Sequence, residues 1–111
     1  MLREGEVAVK KLDPTEVAAL SQTLPDWQYN PQRGGTLHRD FVFDDFVQAF
    51  GFMAQVALAA EKHDHHPEWS NVYNRVSVTW TTHDVQGLST RDLALAQTTD
   101  RLYARACQGE A

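Results

Sequence analysis

Residues 44–82 read DDFVQAFGFMAQVALAAEKHDHHPEWSNVYNRVSVTWTT, and the spacing of apolar residues changes within them. The first half repeats apolar side chains at intervals of three and four, which predicts an amphipathic helix capped by Asp44 or Asp45 and ending near residue 62. Pro67 prevents that helix from continuing. The predicted inward stripe consists of Phe46, Phe50, Met53, Ala57 and Ala60, flanked by Val47, Ala54 and Leu58.

From residue 72 to residue 82 the period of the apolar residues becomes two. Val72, Val76, Val78 and Trp80 alternate with polar residues, so we predict a strand with one apolar and one polar face. A further short strand is expected around residues 81–85 or just after them.

The segments before this region predict a helix and a β-hairpin. Asp13-Pro14-Thr15-Glu16 combines an N-cap acceptor, a proline at the first helical position and an acidic first turn, and Pro25 closes the helix. Residues 27–29 and 37–43 are typical of strands, and residues 30–35 have turn chemistry. Arg39 falls on the apolar face of the second strand, so its guanidinium has to extend towards solvent.

After the region, Ser89-Thr90-Arg91-Asp92 is a capping-box variant that begins a last helix. The inward stripe of that helix is predicted to be Leu95, Thr99, Leu102 and Ala106. The predicted order of elements is therefore α-β-β-α-β-β-α. An antiparallel sheet with helices packed on one face, an α+β fold, satisfies this order with short connections.

The composition describes one ordinary globular domain, residues 1–111, whose polar first 11 residues are expected to be loosely ordered. The net charge of −5 argues against direct nucleic-acid binding. We see neither a signal peptide nor a stretch long enough to span a membrane. Because the single cysteine, Cys107, cannot form an intramolecular disulfide, we expect a reducing, cytoplasmic location.

Four of the five histidines fall between positions 63 and 83. Imidazoles exchange protons near neutral pH and also bind metals, so this cluster indicates acid–base chemistry or a metal site. His63, His65 and His83 could supply three nitrogen ligands. Structural zinc usually takes cysteines, and the familiar catalytic spacing of two histidines four apart with a glutamate is absent, so we favour acid–base chemistry without a metal.

The motifs around these histidines resemble the signature of the pterin-4a-carbinolamine dehydratases. The matching segments are Glu61-Lys62, His65-His66-Pro67-Glu68-Trp69, Asn71-Val72-Tyr73, Thr82-His83, Gly87-Leu88-Ser89 and Asp92. The resemblance implies an α+β fold with a four-stranded antiparallel sheet and helices on one face. It also implies dehydration of 4a-hydroxytetrahydropterin to quinonoid dihydropterin in tetrahydrobiopterin recycling, with the pterin as substrate and no separate cofactor. Family members are homodimers or homotetramers, and their catalytic histidines correspond here to His65, His66 and His83.

Loss of water from a carbinolamine needs a general acid for the departing hydroxyl and a general base for the adjacent ring nitrogen. We expect His66 and His83 to fill these two roles, with His65 supporting them or exchanging roles. Further expected substrate contacts are Pro67, Trp69 (a flat surface for the ring), Thr82, Asp84 and Val85. Expected supporting carboxylates are Glu61, Asp64 and Asp92, the last of which is first a helix cap.

Two alternative functions share this fold. One is a non-catalytic dimerisation or assembly partner, and retention of all three histidines argues against that as the sole role. The other is a pterin-binding protein of another pathway, which would bind a pterin tightly without turnover.

Overall fold

The structure is a computed structural model that describes residues 9–108. Most of the segment predicted to be loosely ordered, residues 1–8, lies outside the described residues. Residues 10–12 pair with residues 88–90: the Thr90 amide donates to the Lys10 carbonyl at 2.9 Å, and the Leu12 amide donates to the Leu88 carbonyl at 2.9 Å. The chain entering the first helix is therefore joined to the start of the last helix.

The described residues form one antiparallel four-stranded sheet with helices on one face, as predicted. The strands are β1 (Gln28–Asn30), β2 (Thr36–Val42), β3 (Glu68–Val72) and β4 (Arg75–Trp80), in the spatial order β1-β2-β4-β3. The helices are α1 (Pro14–Ala18), α2 (Leu20–Thr23), α3 (Phe46–Lys62) and α4 (Thr90–Gln108), and short 3-10 turns cover Gln32–Gly34 and His83–Val85. Within residues 9–108, none of the helices is long and apolar enough to cross a bilayer.

The core lies between the sheet and the two long helices. Leu37 and Phe41 of β2 and Val76, Val78 and Trp80 of β4 are at most 1% exposed and share the helix-facing side of the sheet. From α4, the predicted stripe is confirmed: Leu95 and Thr99 are buried, and Leu102 and Ala106 pack against the core.

The first predicted helix is present but interrupted. Asp13 and Glu16 form a reciprocal capping box, in which the side chain of each accepts the backbone amide of the other. The first α-helix ends at Ala18 and a second begins at Leu20, so two short helices replace the single predicted one. Leu20 and Leu24 are buried.

Two strand predictions were wrong in position. The predicted strand at 72–82 consists of β4 alone, because the chain reverses at Tyr73, whose φ is +51°, and Val72 pairs with Arg75. The Asn71 side-chain amide donates to the carbonyls of Tyr73 and Arg75 and stabilises that reversal. The strand before the turn, β3, therefore begins within the histidine-rich segment, and the short strand expected at 81–85 is a 3-10 turn.

The predicted inward face of α3 was right for Met53 and Ala60 and wrong for Phe46, Phe50 and Ala57. Ala49, Phe52, Val56 and Ala60 are the buried residues of this helix, and Met53 packs beside them. The exposed fractions of Phe46, Val47, Phe50 and Leu58 are 45%, 77%, 58% and 73%. Apolar residues occupy both sides of the helix, so its sequence offers two stripes at helical spacing, and the stripe of Ala49, Phe52, Val56 and Ala60 is the one that packs in the core.

The face of the sheet away from the helices is polar. His38, on β2, contacts Thr79 Oγ1 through Nδ1 at 2.8 Å and Asp40 Oδ1 through Nε2 at 2.9 Å. Hydrogen bonds from Ser77 and His38 lower the pKa of the Asp40 carboxyl below its usual value. Both imidazole nitrogens of His38 are thus used within the sheet.

Arg39 lies on the helix-facing side of β2 and pairs with a carboxylate at the edge of the core. Its guanidinium donates to Asp100 Oδ1 at 2.6 Å and lies over the Phe41 and Tyr103 rings. The same carboxylate oxygen accepts the Trp27 indole N–H at 2.8 Å. Asp100 therefore satisfies two half-buried donors from β2 and the chain before β1.

Replacing Asp100 by alanine is expected to lower the free energy of unfolding by about 2 kcal/mol, because a charged and a neutral donor lose their acceptor. Urea unfolding monitored by tryptophan fluorescence measures the change. The matched control is Asp26→Ala, which removes an exposed carboxylate 3.7 Å from Arg39 and should cost less than about 0.5 kcal/mol. Equal losses in the two variants would contradict this assignment.

Candidate active site

The end of α3 sets the position of the first histidines. His63 is the C-cap residue, Asp64 has a left-handed φ of +51°, and the His65 amide donates to the Ala60 carbonyl at 3.0 Å. With the Asp64 amide donating to the Glu61 carbonyl at 3.2 Å, this is a Schellman motif with aspartate in the place usually taken by glycine. The motif turns the chain sharply, and His65 and His66 leave the helix from a fixed backbone.

A buried carboxylate holds His65 from behind. Asp92, in the first turn of α4, has no exposed surface, and its Oδ1 lies 2.7 Å from His65 Nε2. Its Oδ2 accepts the Thr82 hydroxyl at 2.6 Å and the Ser89 amide at 2.9 Å. These three donors satisfy the charge that burial would otherwise make costly. The His65 ring also stacks on Trp80, with 5.6 Å between the ring centroids.

His83 projects from the 3-10 turn that follows β4. Thr82 pairs with Gly87 across the base of this turn, and the Gln86 residue between them is left-handed. The turn lies directly against the β1–β2 loop: a Cβ at Gly34 would be 1.7 Å from the Gln86 carbonyl oxygen, so only glycine fits there. This close approach of two backbones positions the His83 turn.

The three predicted histidines meet in one open cleft of about 280 Å³. Six of the residues that the sequence predicted for the site line this cleft: Asp64, His65, His66, Thr82, His83 and Asp84. His66, at the rim, contacts Glu61 Oε1 through Nε2 at 2.9 Å, and both side chains are largely exposed. The C-terminal end of α3 and the turn after β4 thus bring together side chains that are far apart in the chain: Thr82 Oγ1 lies 3.5 Å from His65 Nε2, although the two residues are 17 positions apart.

Other predicted residues lie elsewhere. Trp69 is on the helix-facing side of β3, pairs with Val78 and packs against the core. Pro67 and Val85 are half-buried neighbours of the cleft that do not line it, and Asp92 lies behind His65. Contact of these residues with a substrate remains a prediction.

Further residues line the cleft that were not predicted to contact the substrate, although Glu68 belongs to the family motif. Arg91 and Thr81 line it, and so does Glu68, whose carboxylate accepts two hydrogen bonds from Arg33 at 2.8 and 2.9 Å. Those hydrogen bonds lower the pKa of the Glu68 carboxyl below its usual value. Arg33 and Glu68 are 35 positions apart, so no local motif could have paired them.

The metal alternative has no geometric support in the part of the chain that the structure describes. Among residues 9–108, no three histidine, cysteine or carboxylate side chains are grouped so that they could hold a metal ion. His65, one of the three ligands considered, instead directs Nε2 at Asp92.

Comparisons with known proteins agree with the motifs. The family model described as pterin 4 alpha carbinolamine dehydratase matches residues 10–102. A protein of Rhizorhabdus wittichii, provisionally named a pterin-4-alpha-carbinolamine dehydratase, is 51% identical over 96 residues, 86% of this chain and 98% of its own. One of Novosphingobium aromaticivorans with the same provisional name is 54% identical over 91 residues, 82% of this chain and 94% of its own.

Two solved structures share the fold. A Brucella melitensis protein described as a transcriptional coactivator/pterin dehydratase is 44% identical, with a TM-score of 0.79 over 85% of this chain and 99% of that one. A pterin dehydratase-like protein identified as a RuBisCO assembly factor in the alpha-carboxysome is 20% identical, with a TM-score of 0.60 over 70% of this chain and 92% of that one. The second likeness concerns the fold alone. On the family match and the close relatives, the chain belongs to the pterin-4-alpha-carbinolamine dehydratase family.

Proposed function

We propose that this protein dehydrates 4a-hydroxytetrahydropterin to quinonoid dihydropterin by histidine acid–base catalysis, as a step in tetrahydrobiopterin recycling. The observation that carries the proposal is the cleft in which His65, His66 and His83 converge beside Thr82 and Asp84. Three imidazoles in one small cleft, two of them contacting carboxylates, are groups able to exchange protons near neutral pH. The supporting comparison is membership of the family.

In the proposed reaction the C4a–O bond breaks and the hydroxyl leaves as water, after it takes a proton from one imidazole. The proton on N5 passes to a second imidazole, and the electron pair of the N5–H bond forms the N5–C4a double bond. His66 and His83 are the proposed acid–base pair, because both imidazoles reach the open part of the cleft. No cofactor enters this scheme, since the pterin supplies every atom that is lost.

His65 has a different proposed role, because its side chain is only 11% exposed and one nitrogen is already engaged. A carboxylate can only accept hydrogen bonds, so Nε2 of His65 carries a hydrogen towards Asp92. That leaves Nδ1 as the nitrogen able to accept or return a proton. Asp92 is accordingly a positioning residue that fixes the orientation of the His65 ring.

Stopped-flow absorbance of freshly generated 4a-hydroxytetrahydropterin tests the proposal directly. We expect the isolated protein to accelerate the loss of the 4a-hydroxy absorbance without added metal. Equal rates with and without the protein would refute the proposed dehydratase activity and favour one of the alternative functions that share this fold. Tight pterin binding in the absence of turnover would identify a pterin-binding protein of another pathway.

We also propose that the protein is a homo-oligomer that buries the outer face of α3, defined by Phe46, Val47, Phe50 and Leu58. All four side chains are 45% exposed or more, on a helix of 17 residues. A continuous apolar face of this kind is unusual on a monomer. A second copy of the same chain offers an identical apolar face, and a two-fold axis would pair the two helices. The family's dimers and tetramers support this proposal.

Replacing Leu58 by glutamate is expected to dissociate the oligomer, because pairing about a two-fold axis would bury two unpaired charges. Sedimentation velocity at matched concentrations gives the oligomeric state. Gln55→Glu is the matched control, since it adds the same charge at an exposed position on the polar side of α3. If wild type already sediments as a monomer, the outer face is free for a different protein, which is the binding-partner alternative.

The proposed compartment is the cytoplasm. Its support is the single cysteine, Cys107, which leaves the chain without an intramolecular disulfide.

A further inference from the structure

One carboxylate of the cleft is bound to a cation that lies outside the cleft. Glu68 lines the space that contains the three histidines, whereas Arg33, which belongs to the β1–β2 loop, is not among the lining residues. Nη1 and Nη2 of Arg33 donate to Oε2 and Oε1 of Glu68 at 2.9 and 2.8 Å. A single guanidinium group therefore engages both oxygens of this carboxylate.

Other contacts fix the backbone on both sides of this ion pair. A Cβ at Gly87 would lie 2.5 Å from the Gly34 carbonyl oxygen, so the β1–β2 loop lies directly against the turn after β4. Glu68 is the first residue of β3 and pairs with Thr79 of β4. Loss of the ion pair would thus change the charge beside the cleft while these backbone contacts remain.

The cleft is small enough for a charge on its wall to act on the imidazoles. A space of about 280 Å³ is about 8 Å across, which is less than the Debye length of about 10 Å at 0.1 M ionic strength. At such a distance a carboxylate favours the charged form of an imidazole, and a guanidinium group favours the neutral form. The balance between Glu68 and Arg33 therefore bears on the protonation of the three histidines.

Other charged groups face the same histidines. Among residues 9–108, the further charged side chains that line the cleft or contact its histidines are Asp64, Asp84, Arg91, Glu61 (which contacts His66) and Asp92 (which contacts His65). These groups are unchanged when only Arg33 or Glu68 is substituted. Their effect on the imidazoles therefore cancels in a comparison of such variants.

We propose that Arg33 acts on the cleft histidines through Glu68: by neutralising this carboxylate, it sets the pH range over which the imidazoles exchange protons. The consequence for catalysis rests on the proposed dehydratase function. Hydrogen bonds within the pair lower the pKa of the Glu68 carboxyl and raise the pKa of the Arg33 guanidinium, so both partners are charged at neutral pH. Arg33 is thus a positioning residue, since it acts through another side chain.

Three variants separate this electrostatic role from a structural one, because the ion pair is broken in all three. Arg33→Gln leaves an unpaired carboxylate at the cleft, so the imidazoles of His66 and His83 should keep their protons to a higher pH. Glu68→Gln leaves an unpaired guanidinium group, so the same imidazoles should lose their protons at a lower pH. The double variant has balanced charges again, and its titrations should return to the wild-type midpoints.

NMR spectroscopy of the histidine ring protons gives the midpoint of each titration without any substrate. At an ionic strength of about 0.01 M, we expect the two single variants to differ from the wild type by about 0.4 of a pH unit in opposite directions. Both differences should shrink at about 1 M salt, where the Debye length is about 3 Å. The pH profile of dehydration, measured by stopped-flow absorbance, should move in the same two directions.

Arg101→Gln is the matched control, because it removes an exposed arginine that bonds to Thr98 of its own helix, and its midpoints should equal those of the wild type. Unchanged midpoints in both single variants, or shifts of the same sign in all three variants, would overturn the proposal. Shifted titrations beside an unmoved pH profile would overturn the role in catalysis. If the wild type does not turn over 4a-hydroxytetrahydropterin, the dehydratase function fails, and opposite shifts in the two single variants would still support the coupling of Arg33 to the histidines.

Discussion

Replacing His66 or His83 by alanine is expected to slow dehydration of 4a-hydroxytetrahydropterin by about 10²–10⁴-fold in each case, because the reaction would lose its proton donor or its proton acceptor. Single-turnover stopped-flow absorbance measures the rate of the chemical step. The two losses should not multiply in the double variant, since an acid and a base that act as a unit are not independent. Wild-type rates in both single variants would refute this pair.

The pH dependence of the two variants separates their roles. For a reaction with one acid and one base, the rate rises with pH as the base loses its proton and falls as the acid loses its own. The variant that lacks the base should lose the rising limb, and the variant that lacks the acid should lose the falling limb.

His63→Ala is the matched control for these variants. It removes an imidazole from the same segment, at the C-cap of α3, where the backbone rather than the side chain makes the helix-ending hydrogen bonds. Its rate should stay within about twofold of the wild type. A loss as large as that of His66→Ala would mean that the whole segment, rather than particular imidazoles, carries the activity.

Asp92→Ala is expected to have the largest effect on stability, lowering the free energy of unfolding by about 3–5 kcal/mol. The substitution removes the acceptor of three donors, from His65, Thr82 and the Ser89 amide, in a place with no exposed surface. The Ser89 amide and the His65 Nε2–H then lose their acceptor, and the Thr82 hydroxyl keeps its contact with Ser89 Oγ at 2.6 Å. Guanidinium unfolding followed by circular dichroism measures the change.

Two further variants make the test of Asp92 specific. Asp44→Ala removes an exposed carboxylate and should change stability by less than about 0.5 kcal/mol. Asp92→Asn keeps the size of the side chain, but its amide nitrogen cannot accept a hydrogen bond. We expect this variant to fold and to dehydrate the substrate more slowly than the wild type, because the His65 ring loses its fixed orientation. A folded Asp92→Ala protein with wild-type stability would show that the buried network contributes little.

Local sequence determined most of the secondary structure and the identity of the cleft histidines. The capping box of Asp13, the turn residues of the first hairpin and the inward stripe of α4 act over a few neighbouring residues, so they are readable without a tertiary structure. The motif histidines also belong to short segments, and the resemblance of those segments to the dehydratase family predicted that the histidines act together. Family membership follows from the same residues.

Packing decided what the sequence left ambiguous. Residues 46–62 are apolar on two sides, and only the shape of the sheet selects Ala49, Phe52, Val56 and Ala60 for the core. Phe46 and Phe50 are left outside, whereas Phe52 of the same helix packs in the core against Phe41 and Phe43.

Long-range contacts decided the rest of the site. The pairing of Arg33 with Glu68 joins the β1–β2 loop to the start of β3, 35 positions later in the chain. Hydrogen bonds and hydrophobic periodicity within a segment are properties of the local chain. Which segments face one another depends on how much apolar surface the whole molecule buries. That amount is set only when all the segments pack together.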